Sequence, residues 1–123
     1  MPYTYGRNGT PTSAAFEGAV ADIYDANNCI SAPSGLAAIT TALLAFTKAG
    51  DHMLFPDSLY GSSRRFVSQM LPGMGVAVEF YPPRINDGIE AYIKAETTLI
   101  YVESPGSLTF ELQDLPAIVA AAR

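Results

Sequence analysis

The chain has 123 residues, 49% of them hydrophobic, so it is one domain or part of one and not a disordered segment. A formal net charge of −5, with no basic run longer than Arg64-Arg65, gives no footing for a nucleic-acid backbone. A single cysteine excludes an internal disulfide and a cysteine-built zinc site, there is one histidine, and no carboxylates cluster at a metal-ligand spacing.

The opening MPYTYGRNG lacks an apolar signal core. Leu36–Phe46 is too short and too broken by threonine to cross a bilayer, which points to a soluble protein of a reducing compartment, the cytoplasm. Thr10-Pro11 reads as a helix cap followed by proline at the first helical position, where a missing N–H costs nothing. Apolar residues at helical spacing (Ala15, Ala19 and Ile23; Phe16 and Val20) carry that helix to about Ala26. Cys29-Ile30-Ser31 is a short strand candidate, with Cys29 as small core filler. A helix from Gly35 to Ala49 follows, with Leu36, Ile39, Leu43 and Phe46 on one stripe and Gly50 as its stop.

His52–Pro56 is the next strand, and Gly61–Leu71 the next helix, with Phe66, Val67, Met70 and Leu71 as its apolar pairs. Val76–Pro82 alternates as a strand does. Residues 86–95 read as a helix capped by Asn86 or Asp87 with Ile89, Tyr92 and Ile93 inward. Thr97–Glu103 is a strong central strand, and a last helix begins near Asp114. A helix followed by four strand–helix pairs predicts an α/β domain with a mainly parallel sheet and flanking helices. The chain stops on Ala-Ala-Ala-Arg with sheet faces left uncovered. The expectation is the front portion of a larger protein, or a unit that needs partners.

Ser34-Gly35 sits behind a strand and opens a helix, so it is either an ordinary cap or an anion seat at a helix N-terminus. Four ordered blocks bear on that choice: Tyr5–Val20 (YGRNGTPTSAAFEGAV), Ser31–Ile39 (SAPSGLAAI), Ala49–Phe66 (AGDHMLFPDSLYGSSRRF) and Tyr101–Ile118 (YVESPGSLTFELQDLPAI). Together they resemble the cysteine/methionine-metabolism family of pyridoxal-phosphate (PLP) enzymes over nearly the whole chain. Tyr5-Gly6-Arg7 with Thr10-Pro11-Thr12, and Gly106-Ser107 after Glu-Ser-Pro, resemble its cystathionine β-lyase branch.

The resemblance implies an incomplete fold-type-I large domain. Residues 1–10 would be an arm reaching a neighbouring identical subunit, and 11–123 the first part of the PLP-binding domain. It implies PLP as cofactor and cleavage of cystathionine by β-elimination to homocysteine, pyruvate and ammonia, with γ-acting relatives or a catalytically dead pairing module as alternatives. By the same resemblance Ser34, Gly35 and Leu36 bind the PLP phosphate, while Tyr5, Gly6 and Arg7 reach the phosphate of a neighbouring subunit's cofactor. An arginine suits that role because its fork is always charged. Tyr60 is the catalytic candidate, stacking on the cofactor ring and handling a proton near the substrate amine. Glu103 is either a group near the cofactor or a structural acceptor. Arg64 and Arg65 belong to a helix surface or subunit contact, and Asp51 binds nearby backbone N–H groups. Asn27 or Asn28 would supply the left-handed turn that glycine provides in relatives. The family's ring-nitrogen aspartate and Schiff-base lysine match nothing here. Lys48 lies a helix length of ~20 Å from Gly35, so this chain alone is expected to be inactive.

Overall fold

The computed structural model describes residues 4–123. Met1 to Tyr3 of the expected arm lie outside the described residues. The chain falls into two compact units, Met1–Ala38 and Ile39–Arg123.

The first unit holds a 3-10 turn, Gly6–Asn8, and helix α1, Pro11–Ile23. The Thr10 cap forms as expected. Its hydroxyl accepts the Ser13 N–H at 3.1 Å, and the Ser13 hydroxyl accepts the Thr10 N–H at 2.9 Å, so two orphan donors are satisfied reciprocally. The helix ends earlier than Ala26 because Asp25, not an asparagine, takes the left-handed conformation (φ 49°), and the Ala26 N–H returns to the Ala21 carbonyl at 2.9 Å. Cys29–Ser31 does not form a strand. Its polar groups go elsewhere: Glu17 accepts the Ser31 N–H at 2.8 Å and the Ser31 hydroxyl at 2.7 Å. Cys29 is half-buried in irregular chain and Ile30 is exposed.

Helix α2, Gly35–Ala45, starts where the sequence places it. It stops short of Ala49 because the Thr47 hydroxyl bonds the Leu43 carbonyl, and buried Asp51 takes the Lys48 N–H at 2.8 Å.

The second unit is built on three parallel strands: β1 His52–Pro56, β2 Ala77–Tyr81 and β3 Thr97–Ile100, in the order β2-β1-β3. Phe55 pairs with Phe80 on one side of β1, and Leu54 with Ile100 on the other. Every residue of β1 is buried, which is why its run of apolar residues does not alternate. Met53 and Phe55 face one layer, with Leu43, Leu59, Val67, Leu71 and Val76. That layer includes helix α3, Gly61–Gln69. Leu54 faces the other layer, with Tyr81, Ile89 and Ile118, the last from helix α4, Leu115–Ala121. Cores on both faces of a parallel sheet make this an α/β arrangement with flanking helices, as expected.

Two further expectations are corrected. Residues 86–95 form a 3-10 segment, Asn86–Tyr92, and not an α-helix: Asn86 sits at φ 53° within a turn instead of capping. Phe46 and Met70 are exposed, where the spacing pointed them inward.

Candidate functional site

The predicted site residues fall into three groups. In the first unit, Tyr5 precedes the turn Gly6–Asn8, and the Asn8 N–H closes it on the Tyr5 carbonyl at 2.9 Å. The Arg7 guanidinium carbon lies 5.3 Å from the Tyr5 ring centre, a cation–π pair in which both side chains are exposed. No carboxylate pairs with Arg7 among the described residues. Its charge is therefore available to an outside anion.

The second group opens α2. Ser34 is its cap: its hydroxyl oxygen accepts the Ala37 N–H at 3.1 Å, and its carbonyl accepts the Ala38 N–H at 3.0 Å. That leaves Gly35 and Leu36, whose N–H groups have no acceptor among the described residues. A Cβ built on Gly35 would meet nothing within 4 Å. Two free donors, a hydroxyl proton still available on Ser34 and the positive end of the helix fit an anionic group such as a phosphate. Ser34 is thus both a cap and a candidate donor, so the two readings of its sequence context are compatible.

The third group lies in the second unit, at the carboxyl ends of β1 and β3. The chain leaves β1 toward β2 and returns to β3 on the opposite side, so these two strand ends flank the point where strand order reverses. Open parallel sheets bind ligands in that crevice. Tyr60 stands at the N-cap of α3 with no side-chain cap and its residue 48% exposed, leaving the aromatic face open to a planar ligand. On one flank, Arg64 anchors the preceding turn: it donates to the Asp57 carbonyl at 3.0 Å, pairs with the Asp57 carboxylate at 2.8 Å and lies 4.1 Å over the Phe80 ring. Arg65 is exposed.

On the other flank stands Glu103, whose carboxylate accepts the Tyr60 N–H at 3.2 Å and the Ser107 hydroxyl at 2.7 Å. Its structural reading is therefore realised. Burial, with the Glu103 charge adding to it, pushes the Tyr101 phenol above its usual range. Burial also raises Tyr81, partly offset by the hydrogen bond from Gln113.

Sequence reasoning did not single out Ser58 or Gln113. Ser58 meets Gly106 so closely that a Cβ there would lie 2.3 Å from the Ser58 hydroxyl oxygen. Gln113 donates to the Tyr81 hydroxyl at 3.0 Å and accepts the Glu103 N–H at 2.7 Å. The motif Glu-Ser-Pro-Gly-Ser was the available signal, but it carries no periodicity that reveals which donors it meets. Lys94 is occupied by an ion pair with Glu79. No group of three or more metal-ligating side chains occurs among the described residues, and no helix among them is long and apolar enough to cross a membrane.

The family model described as "Cys/Met metabolism PLP-dependent enzyme" matches residues 1–123. A protein of Rhizobium johnstonii named putative cystathionine beta-lyase is 49% identical over 98% of this chain and 30% of its own length. Cystathionine beta-lyase of Escherichia coli is 38% identical over 97% of this chain and 30% of its length. The crystal structure of a cystathionine gamma-lyase from Lactobacillus plantarum, complexed with L-serine, superposes with a TM-score of 0.91 at 31% identity, covering 99% of this chain and 32% of that one. The chain thus spans about 30% of the length of the curated relatives it matches.

Proposed function

The chain belongs to the Cys/Met-metabolism family of PLP-dependent enzymes, and from that premise we propose that it forms the cofactor-gripping part of a cytoplasmic carbon–sulfur lyase assembled from identical subunits. The reaction is β-elimination from cystathionine followed by hydrolysis of the eliminated three-carbon enamine with one water, giving homocysteine, pyruvate and ammonia. The observation that carries the reading is the pair of unclaimed N–H groups at Gly35 and Leu36, set at an unobstructed helix N-terminus in a chain of this family.

Residues 11–123 supply the phosphate seat and the ring platform, and residues 1–10 act as an arm toward a neighbouring subunit. In this assignment Gly35, Leu36 and the Ser34 hydroxyl donate to the PLP phosphate. Donors fixed by the helix need no reorganisation when the anion arrives. Tyr5, Gly6 and Arg7 extend to the phosphate held by a neighbouring subunit, where the guanidinium forms a fork of charge-assisted bonds. Tyr60 lays its ring against the cofactor ring and excludes water from that face, while its phenol takes or returns a proton beside the substrate amine. When bound, PLP supplies the electron sink that makes the substrate α-proton removable. Lys48 and Lys94 match no Schiff-base motif, and Lys94 is already paired, so that lysine is assigned to another part of the whole protein.

The β-lyase reading draws support from the 49% and 38% identities to proteins named for that reaction. The γ-acting alternative draws support from the likeness to a cystathionine gamma-lyase. Assaying the full-length, PLP-loaded protein with cystathionine separates them. Pyruvate with homocysteine is the expected outcome, and 2-oxobutyrate with cysteine overturns the β assignment.

A further inference from the structure

We propose that Glu103 is a positioning residue for Tyr60, holding the tyrosine's backbone so that its ring is set before the cofactor arrives. The inference rests on the functional reading above, in that Tyr60 is taken as the cofactor platform.

Three donors converge on this one carboxylate. Oε2 accepts the Tyr60 N–H at 3.2 Å; Oε1 accepts the Ser107 hydroxyl at 2.7 Å and the Ser107 N–H at 3.1 Å, the latter shared with the Ser58 carbonyl at 2.9 Å. Oε2 is thus given over to Tyr60, across a sequence separation of 43 residues. The carboxylate is itself mounted on a buried polar chain. The Glu103 N–H donates to Gln113 Oε1, Gln113 Nε2 donates to the Tyr81 hydroxyl, and that hydroxyl donates to the Tyr101 carbonyl at 2.7 Å. Gly106 lies against Ser58, where a side chain would not fit, so the segments after β1 and β3 approach as closely as backbone allows.

Tyr60 needs such an anchor. It opens α3 with no side-chain cap of its own, and its exposed ring makes no aromatic contact among the described residues. Arg64 fixes the turn from the Asp57 side, and Glu103 fixes it at Tyr60. A negative charge beside the first turn of α3 also suits that helix's positive end. A ring set in advance spares the ordering cost at the moment of binding, which appears as cofactor affinity.

The test is a double-mutant cycle on the full-length protein, read by PLP affinity and by the visible circular dichroism of bound PLP. Glu103→Met keeps the side-chain length but removes both acceptor oxygens, so the Tyr60 N–H loses its partner. It should weaken PLP binding about tenfold, the scale of one hydrogen bond to a charged acceptor, and reduce the dichroic band. Tyr60→Ala should weaken binding at least as much, and Glu103→Met added to Tyr60→Ala should cost nothing further. Should the methionine variant fold poorly, Glu103→Asp withdraws the carboxylate by one methylene and serves the same cycle. Additive losses, or an unchanged band in the Glu103 variants, overturn the positioning role while leaving the cofactor site standing. If Tyr60→Ala alone leaves affinity unchanged, the platform assignment fails and this inference fails with it.

Discussion

Replacing Gly35 with aspartate pits two effects of one carboxylate against each other. In the cofactor-free protein the substitution is sterically free, since a Cβ at Gly35 meets nothing within 4 Å and the residue's φ is not in the left-handed region. A carboxylate in the first turn of a helix contributes about 0.3–1 kcal/mol, and exchanging glycine for another residue removes part of glycine's helix penalty, up to about 0.5 kcal/mol here. Stability should therefore stay level or rise. Cofactor binding should move the other way. At about 5 Å and an effective dielectric of about 20, each phosphate charge repels the new carboxylate by about 3 kcal/mol, which is more than a hundredfold in affinity. Urea unfolding of the cofactor-free full-length protein and fluorescence titration with PLP measure the two quantities separately. Unchanged PLP affinity in a variant of undiminished stability refutes the assignment of the α2 N-terminus as the phosphate seat.

Other perturbations test separate links. Arg7→Ala removes an exposed side chain ahead of α1, so it should release PLP faster without lowering the urea midpoint; equal cofactor content in mutant and wild type contradicts the arm's role. Gly106→Ala puts a methyl 2.3 Å from the Ser58 hydroxyl oxygen and should destabilise by ~1–3 kcal/mol, with Ser58→Gly restoring part of the loss; an unshifted midpoint means the two segments are not in close contact. Glu17 is held below the usual carboxylate value of 4.5 by the Ser31 N–H first and the Ser31 hydroxyl second. A lowered folded pKa gives stability that is present above 4.5 and lost as the pH falls through the folded value. The stability gap between wild type and Glu17→Gln should close across that acid window, and a gap that stays constant with pH removes the Ser31 tether from the account.

What was legible in the sequence followed from how strongly a segment's own chemistry dictates its structure. His52–Pro56 was plain because an unbroken apolar run between turn residues fits a fully buried parallel strand. The starts of α1 and α2 were plain because Thr10-Pro11 and Ser34 carry their caps locally. Cys29–Ser31 misled because three residues carry no periodicity, and the side chain that settles Ser31, Glu17, lies 14 residues earlier. The 86–95 helix misled because its capping residue, Asn86, adopts a left-handed turn, and Gly88 follows two positions later. In the candidate site, Gly35 and Tyr60 were legible as members of motifs. The Glu103–Tyr60 bond was not, since a contact between the ends of two strands depends on strand order, and strand order is not written in spacing.

In the proposed function the amide groups of Gly35 and Leu36 receive the phosphate of PLP. A crystal structure of the full-length, PLP-loaded protein decides this. Phosphate oxygens are expected within hydrogen-bond reach, about 2.7–3.2 Å, of both nitrogens. A phosphate seated elsewhere, with those two N–H groups turned to water or to protein carbonyls, contradicts it.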